Sequence, residues 1–192
     1  MFKLAPYCFG FLIFLVACEP DYSPKPRGYY KIELPKKAYR PYDSTCPYAF
    51  SYPVYASVAP DSAKNAQPCF LDVSFKQFNS KIHLTYQPIT SKKAFDELVE
   101  AARSFAFKHT VKATAIDEAA ISFPNKKVYG TLYSIDGNTA SAIQFFLTDS
   151  TTNYVRGALY FNEKPNLDSI QPALDFLKKD IDVFIKTFHW KN

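Results

Sequence analysis

The sequence predicts an α+β protein, in which an antiparallel sheet of about five to seven strands packs with two main helices. Three observations support this prediction. The chain has 18 Phe and 14 Tyr but only 5 Gly among 192 residues, and such a composition favours strands and packed aromatic layers. Several short aromatic or β-branched segments are separated by turn-forming residues. Two longer segments repeat apolar residues at three- and four-residue steps, which is typical of amphipathic helices.

Strand patterns dominate the first half of the chain. Tyr29–Pro35 alternates and predicts a first strand or a docked extended segment, and Tyr48–Pro53 predicts a short aromatic strand. Cys69–Phe75 and Lys81–Pro88 predict a hairpin. The stretches between these segments, including Tyr55–Pro68, are rich in proline and small residues and predict loops.

A change of period marks each helix. Over residues 91–108 the apolar residues share one helical face, and Thr90 or Ser91 is placed to cap the first turn. The last helix is expected over Asp168–Phe188, with Asp168 as its cap and Pro172 tolerated in the first turn. The apolar face of the second helix comprises Ile170, Leu174, Leu177, Ile181, Phe184, Ile185 and Phe188.

Between the helices the chain predicts a brief strand at Ala119–Pro124 and then a meander. Its strands are expected at Lys126–Ile135, Ser141–Ser150 and Tyr154–Asn162, with a turn at Asp136–Gly137. Strands with such short connections are expected to be neighbours in the sheet. The order of strand pair, helix, meander and final helix resembles the PsbP/Mog1-like sandwich, a likeness of topology that says nothing firm about function.

The N-terminus has the layout of a secretory signal peptide over residues 1–17. Lys3 provides a positive flank, and the uncharged segment Leu4–Ala17 is too short for a membrane span of about 20 residues. Leu15–Cys18 matches the bacterial lipobox, in which the cysteine thiol receives a diacylglyceryl group before cleavage. Cys18 is therefore expected to start the mature protein and to anchor it. Two or three acyl chains attached to one residue hold a protein stably in a membrane. The alternative is a buried cysteine in an ordinary apolar segment.

The mature chain is expected to divide into a tether and one domain. Pro20, Pro24 and Pro26 favour an extended chain over residues 18–27. We expect residues 28–192 to form a single α+β domain without internal repeats.

Two cysteines remain once the leader with Cys8 is removed and Cys18 is lipidated. In an oxidising envelope Cys46 and Cys69 are most simply a disulfide. The closed loop of about 23 residues corresponds to roughly 3 kcal/mol in the chain-entropy model. Two buried thiols and a catalytic thiol are the alternatives. The catalytic alternative is the weaker, because there is no Cys-x-x-Cys pair and no histidine nearby in sequence.

Charge and motifs argue against nucleic-acid binding and against catalysis. The formal charge of +5 is spread along the chain without a solid basic block. The sequence has no glycine-rich phosphate loop and no Gly-x-Ser-x-Gly. His83, His109 and His189 lack zinc-ligand spacing, so structural roles are expected for them. The paired acids Asp96–Glu97 and Asp117–Glu118 are adjacent and do not share one face. We therefore expect no enzyme activity, no metal and no cofactor.

The aromatic residues of the first part leave two interpretations open. They could form a surface that binds protein or glycan, because tyrosine buries area while keeping a polar end. They could equally pack the core and the strand faces. The residues concerned are Tyr29, Tyr30, Tyr39, Tyr42 and Tyr48.

Long stretches of the chain resemble the gliding-motility lipoprotein GldD family of Bacteroidetes. The resemblance spans nearly all of the mature chain and includes Cys18 and the pair Cys46 and Cys69. It is carried by PKPRGYYKIELP (24–35), YRPYDSTCPYAFSYP (39–53), PCFLDVSF (68–75), IHLTY (82–86), AFKHTVKATAIDE (106–118), KKVYGTLYSIDGNTASAIQFFLTDS (126–150) and RGALYFNEKPNLDSI (156–170).

The resemblance implies a cell-envelope lipoprotein needed for gliding and for the linked type IX secretion machinery, without catalytic activity. Its implied partners are other envelope lipoproteins and outer-membrane components of that machinery, apart from the membrane that holds the anchor. We expect the protein at the outer membrane, facing the periplasm. The alternative hypothesis is a periplasmic lipoprotein that binds a glycan or another small ligand, for which an aromatic-lined groove with convergent polar groups would be the sign.

Overall fold

The computed structural model describes residues 33–191. In chain order, its elements are β1 (Tyr39–Tyr42), β2 (Tyr48–Pro53), β3 (Ser57–Pro60), β4 (Leu71–Phe75), β5 (Ser80–Pro88), α1 (Lys92–Phe107), β6 (Ala113–Phe123), β7 (Val128–Gly137), β8 (Ile143–Thr148), β9 (Asn153–Phe161), α2 (Leu167–Thr187) and β10 (His189–Trp190). None of the helices in this range is long and apolar enough to cross a membrane.

Seven strands form one antiparallel sheet in the order β3-β4-β5-β9-β8-β7-β6. A second, three-stranded sheet has the order β1-β2-β10. The predicted hairpin β4–β5 and the predicted meander β7–β8–β9 are both present. Strand β9 joins them by pairing with β5 from Ser80 opposite Phe161 to Pro88 opposite Asn153. The predicted α+β class with two main helices is confirmed.

One face of the large sheet packs against α2 and β2. Phe145 and Leu147 of β8 belong to this core, together with Phe184 of α2. Strand β2 lies beside α2, where the rings of Phe50 and Phe184 are 4.4 Å apart between centroids. The apolar stripe predicted for the last helix packs into this core, because Leu174, Leu177 and Ile181 belong to the same cluster.

The opposite face carries α1 over β7, β8 and β9. A smaller cluster joins Ala102 and Ala106 of the helix to Tyr133, Phe146 and Tyr154 of these strands. The Ser91 hydroxyl accepts the Ala94 N–H at 3.1 Å, so Ser91 is the cap among the two candidates in the sequence. Strands β4 and β5 contribute no residue to this cluster among the described residues, and their side chains on this face are polar.

Three expectations about local structure were wrong. Strands β1 and β3 lie in stretches predicted to be loops, because their hydrogen-bonding partners β2 and β4 lie elsewhere in the chain. Strand β6 has 11 residues where a brief strand was expected. Asp136–Gly137 ends β7 and is not the turn itself. At Gly137, with φ +111°, an added Cβ would lie 2.5 Å from the Lys112 carbonyl oxygen, so glycine permits close approach beside the bulge between Ala113 and Ala115.

The start of α2 also differs from expectation. The cap position is Asn166, not Asp168, and its side chain does not bond the first turn. Instead the Leu167 N–H donates to Oδ1 of Asn138 at 2.7 Å, so a loop side chain from outside the helix takes the capping role. Pro172 lies inside the helix, beyond its first turn.

Candidate interaction surfaces

The two cysteines of the domain are joined in the structure. Cys46 and Cys69 form a disulfide with their Cα atoms 5.5 Å apart. It connects the segment before β2 to the segment before β4, and the Tyr48 hydroxyl donates to the Cys69 carbonyl at 2.8 Å beside it. Cys18, the expected lipidation site, lies outside the described residues, as do the expected signal peptide and tether.

A buried carboxylate holds the start of the domain against α2. The Asp180 side chain is 1% exposed, and Lys37 Nζ lies 2.7 Å from its Oδ1. The Tyr39 hydroxyl donates to the same oxygen at 2.8 Å, and the Tyr55 hydroxyl donates to Oδ2. Burial, reinforced by Asp180, raises the pKa of both tyrosines. Lys37 also lies over the ring of Phe176, 3.3 Å from its centroid. This cluster is structural.

The tyrosines whose role the sequence left open pack inside the protein where the structure describes them. Tyr48 is fully buried. Tyr42 stacks on Phe50 with ring centroids 5.0 Å apart, and Tyr39 binds Asp180. Tyr29 and Tyr30 lie outside the described residues. Tyr48 is therefore a core residue, Tyr42 packs against the core, and Tyr39 is half-buried and held by Asp180.

The three histidines lie far apart in the architecture and have different surroundings. His109 follows α1, where burial, together with the charge of Arg156, lowers its pKa. His189 lies in β10 with its Nδ1 3.1 Å from the Thr187 carbonyl oxygen. His83 differs from both, because the structure places it between two carboxylates that its sequence spacing did not reveal.

His83 and Asp72 meet because they are opposite each other in the β4–β5 hairpin. His83 Nδ1 is 2.8 Å from Asp72 Oδ1, and Lys81 Nζ is 2.7 Å from Asp72 Oδ2. Burial alone would raise the pKa of Asp72, but Lys81 and His83 outweigh it and hold this pKa below its usual value. On the other side of the ring, His83 Nε2 is 3.7 Å from Oδ2 of Asp61, which follows β3.

A cavity of about 380 Å³ opens over this polar cluster. Phe70 and Tyr160 line it beside the polar side chains, which are those of Asp61, Asn65, Lys81 and His83. Sequence reasoning missed this site, although the hairpin itself was predicted. The predicted turn at 76–80 would have paired Asp72 with Leu84, whereas the observed pairing of Phe75 with Ser80 places it opposite His83. Nothing local indicates Asp61.

The outer edge of β6 is the second surface of interest. β6 ends the large sheet, and no strand within residues 33–191 pairs with its outer edge. Most of its 11 residues are exposed, and it contains no proline. A long edge of this kind can pair with another strand, and the charges of Asp117 and Glu118 restrict which strands it accepts.

An apolar groove of about 510 Å³ lies directly below this edge, between β6 and α2. Ala119, Ile121 and Phe123 line it from β6, and Ile181 and Ile185 line it from α2. Its rim carries Lys178, Asp182 and Lys186. The edge and the groove together can hold an extended chain by backbone hydrogen bonds on one side and alternate apolar side chains on the other.

The fold is that of a PsbP-like α+β domain, and a solved structure agrees with it. The solution structure of cyanobacterial PsbP (CyanoP) from Synechocystis sp. PCC 6803 matches with a TM-score of 0.52 and 14% identity, covering 82% of this chain and 95% of that chain. At this identity the likeness extends to the fold alone. No curated protein matches the chain significantly.

The chain belongs to the gliding motility lipoprotein GldD family, whose model matches residues 19–190. The resemblance noted from the sequence is thereby confirmed. The protein is a member of a family of lipoproteins associated with gliding motility, and membership implies anchoring in the cell envelope.

Proposed function

We propose that this protein is a lipid-anchored, non-catalytic assembly factor for the gliding machinery and the type IX secretion machinery linked to it. The observation that carries the proposal is the outer edge of β6, which no strand in the described part of the chain pairs with, above an apolar groove. Membership of the gliding motility family supplies the context. Cys18 is the anchor, residues 18–27 are the tether, and residues 28–192 are the interaction domain.

The occupant of the edge is an extended strand of another envelope component. Self-pairing is disfavoured, because two antiparallel copies aligned about Glu118, the centre of β6, would place Glu118 directly opposite Glu118. Like charges directly opposite each other destabilise a strand pair. The favoured strand has apolar side chains at alternate positions toward the groove and a basic side chain opposite Asp117 or Glu118.

The proposed location is the periplasmic side of the outer membrane. The Cys46–Cys69 disulfide suits an oxidising compartment. A short proline-rich tether would keep the domain within about 30 Å of the lipid surface, since about ten residues extend by roughly 3.1 Å each. The partners within that distance are other envelope lipoproteins and outer-membrane components of the machinery.

Crosslinking and purification of the tagged lipoprotein from membranes would test the proposal. Gliding and secretion components should co-purify with it, and Cys18→Ala should lose them. Ala119→Lys places a charge at the mouth of the groove and should reduce their recovery at least tenfold. Ala59→Lys, on the exposed opposite edge of the sheet, is the matched control and should leave recovery unchanged.

Equal recovery with Ala119→Lys and Ala59→Lys would overturn the role of the β6 edge. A chain that is recovered without any gliding or secretion component would overturn the assembly role itself. Deletion of the gene should abolish both spreading and protein secretion, so normal secretion in the deletion strain would contradict the link to the secretion machinery.

A second candidate function rests on the cavity beside His83. It combines two aromatic rings, Phe70 and Tyr160, with convergent polar groups, which is the arrangement expected for a periplasmic protein that binds a glycan or another small polar ligand. Titration calorimetry of the lipoprotein with soluble peptidoglycan saccharides tests it. Heat that disappears in Tyr160→Ala supports this function, and the absence of binding heat contradicts it.

A further inference from the structure

We infer that Asp61 and His83 bind a divalent transition-metal ion of the zinc class, and that Asp72 is the positioning residue for the His83 ring. This site depends on neither of the functions proposed above. The side-chain ligand atoms of Asp61, Asp72 and His83 all lie within 4.8 Å of one another. They come from two adjacent strands and from the chain just after a third strand.

The hydrogen bond to Asp72 decides which nitrogen of His83 is available. Nδ1 donates to Asp72 Oδ1 at 2.8 Å, so the neutral ring carries its lone pair on Nε2. Histidines that ligate metals commonly donate their other ring N–H to a carboxylate, which fixes the tautomer and orients the ring. Asp72 is held in turn by Lys81 at 2.7 Å. Nε2 of His83 therefore faces Asp61 with its lone pair free.

Asp61 supplies the second ligand and is unusual for an aspartate. Its side chain is only 8% exposed, and Oδ1 accepts the Ala63 N–H at 3.0 Å. Oδ2 accepts no hydrogen bond within the described part of the chain, and Nε2 of His83 lies 3.7 Å from it. Asp61 lines the open cavity, so this oxygen is available to an ion that enters it.

The spacing of these two atoms is wrong for a hydrogen bond and suitable for an ion. Nε2 and Oδ2 are 3.7 Å apart, beyond the usual limit of about 3.2 Å for an N–H···O bond. Two ligands at about 2.0 Å from a tetrahedral zinc ion lie roughly 3.3 Å apart. The ion would thus require the side chains to approach by a few tenths of an ångström. The open cavity above leaves space for water to complete the coordination.

The local charge is also compatible with a cation. Lys81 neutralises Asp72, so Asp61 is left to offset the positive charge of the ion. Lys81 also occupies Oδ2 of Asp72, which makes Asp72 a supporting group and not a direct ligand. With imidazole and carboxylate as ligands, the site suits zinc, copper or nickel better than magnesium or calcium, which prefer oxygen ligands alone.

Titration of the chelator-treated, full-length lipoprotein in detergent with Zn²⁺ alone tests the inference. We expect one ion per chain, at least tenfold weaker binding in His83→Gln and in Asp61→Asn, and unchanged binding in the control His189→Gln. Asp72→Asn should weaken binding about 10- to 100-fold, as is typical of outer-shell partners. Co²⁺ should give a visible absorption band that His83→Gln abolishes, a readout that a structural role would not produce.

Thermal unfolding of each variant shows whether it is folded before titration. Zinc should raise the midpoint of the normal protein and of His189→Gln but not that of His83→Gln, because an ion that binds only the folded state stabilises it. Absence of zinc binding by the normal protein would overturn the inference. Binding that survives both His83→Gln and Asp61→Asn would overturn it as well, because the ion would then be held elsewhere.

Discussion

The two faces of the large sheet differ in what they bury. On the α2 face, side chains from β4, β5, β8 and β9 form one core with α2 and β2. On the α1 face, the buried residues of the smaller cluster come from β7, β8, β9 and the helix, and Ile116 of β6 packs against them. The part of this face formed by β4 and β5 carries Asp72, Lys81 and His83 beneath an open cavity. One face therefore buries the larger core, while the other leaves a polar region open beside a smaller apolar cluster.

Neighbouring residues of β8 show how the division arises. Phe145 and Phe146 are adjacent in the chain and join different cores, because successive side chains of a strand point to opposite faces. Phe145 packs directly onto Gly157 of β9, where an added Cβ would lie 2.2 Å from its ring. The large core thus extends down to the backbone of the central strands.

The largest expected effect comes from truncating the two phenylalanines of β8. Buried Phe→Ala substitutions cost about 3–5 kcal/mol, depending on how many neighbours lose contacts. We expect a loss of about 4–5 kcal/mol in the free energy of unfolding for Phe145→Ala and about 3 kcal/mol for Phe146→Ala. Chemical denaturation of both variants measures the difference. A loss at Phe146 equal to or above that at Phe145 would contradict the ranking of the two faces.

Removal of Asp180 should have the next largest effect. Asp180→Ala leaves Lys37 without its partner and removes the acceptor for Tyr39 and Tyr55. Breaking a buried ion pair costs about 3–5 kcal/mol, and because Lys37 is partly exposed we expect about 3 kcal/mol. Asp72→Ala on the open face is the comparison and should cost no more than about 1 kcal/mol. If denaturation curves show that Asp180→Ala and Asp72→Ala lose the same free energy of unfolding, the two faces do not differ in this respect.

Acid should weaken the turn between β8 and β9. Burial alone would raise the pKa of Asp149, but hydrogen bonds from Thr152, Asn153 and Thr151 outweigh it and hold this pKa well below its usual range. Because the pKa of Asp149 is lower in the folded protein than in the unfolded chain, its carboxylate stabilises the fold at pH values above the unfolded pKa of about 3.9. This stabilisation is lost as the pH falls through the folded pKa.

Asp149→Asn should therefore cost about 1.5 kcal/mol at neutral pH. The difference from the normal protein should shrink as the pH falls below about 4. Unfolding midpoints measured across this pH range provide the test. A difference that is independent of pH would show that the carboxylate charge does not hold the turn.

The smallest expected effect concerns the cap of α1. Ser91→Ala removes the acceptor of the Ala94 N–H, and loss of a cap costs about 1 kcal/mol or less in such exposed positions. Since α1 covers only the smaller cluster, amide exchange should increase in the first turn of α1 and remain unchanged in α2. Faster exchange throughout both helices would show that the two faces unfold together.

Local pattern predicted much of the fold and little of the candidate sites. The β4–β5 hairpin, the meander and both helices follow from periodicity over short segments. β3 could not be predicted, because Ser57–Pro60 lacks a strand pattern and becomes a strand only by pairing with β4. The length of β6 was underestimated for the same reason, since β7 pairs along its whole extent.

The sequence by itself determined the features that depend on residues close together in the chain. These are the helical faces, the hairpin, the lipobox pattern ending at Cys18 and the sequence stretches that resemble the family. The tertiary structure decided which distant residues meet. Insertion of β9 between β5 and β8 places the open edge at β6 beside α2. The chain after β3 brings Asp61 to His83. No local period encodes such contacts, because they depend on strand order and on the side of the sheet to which each helix returns.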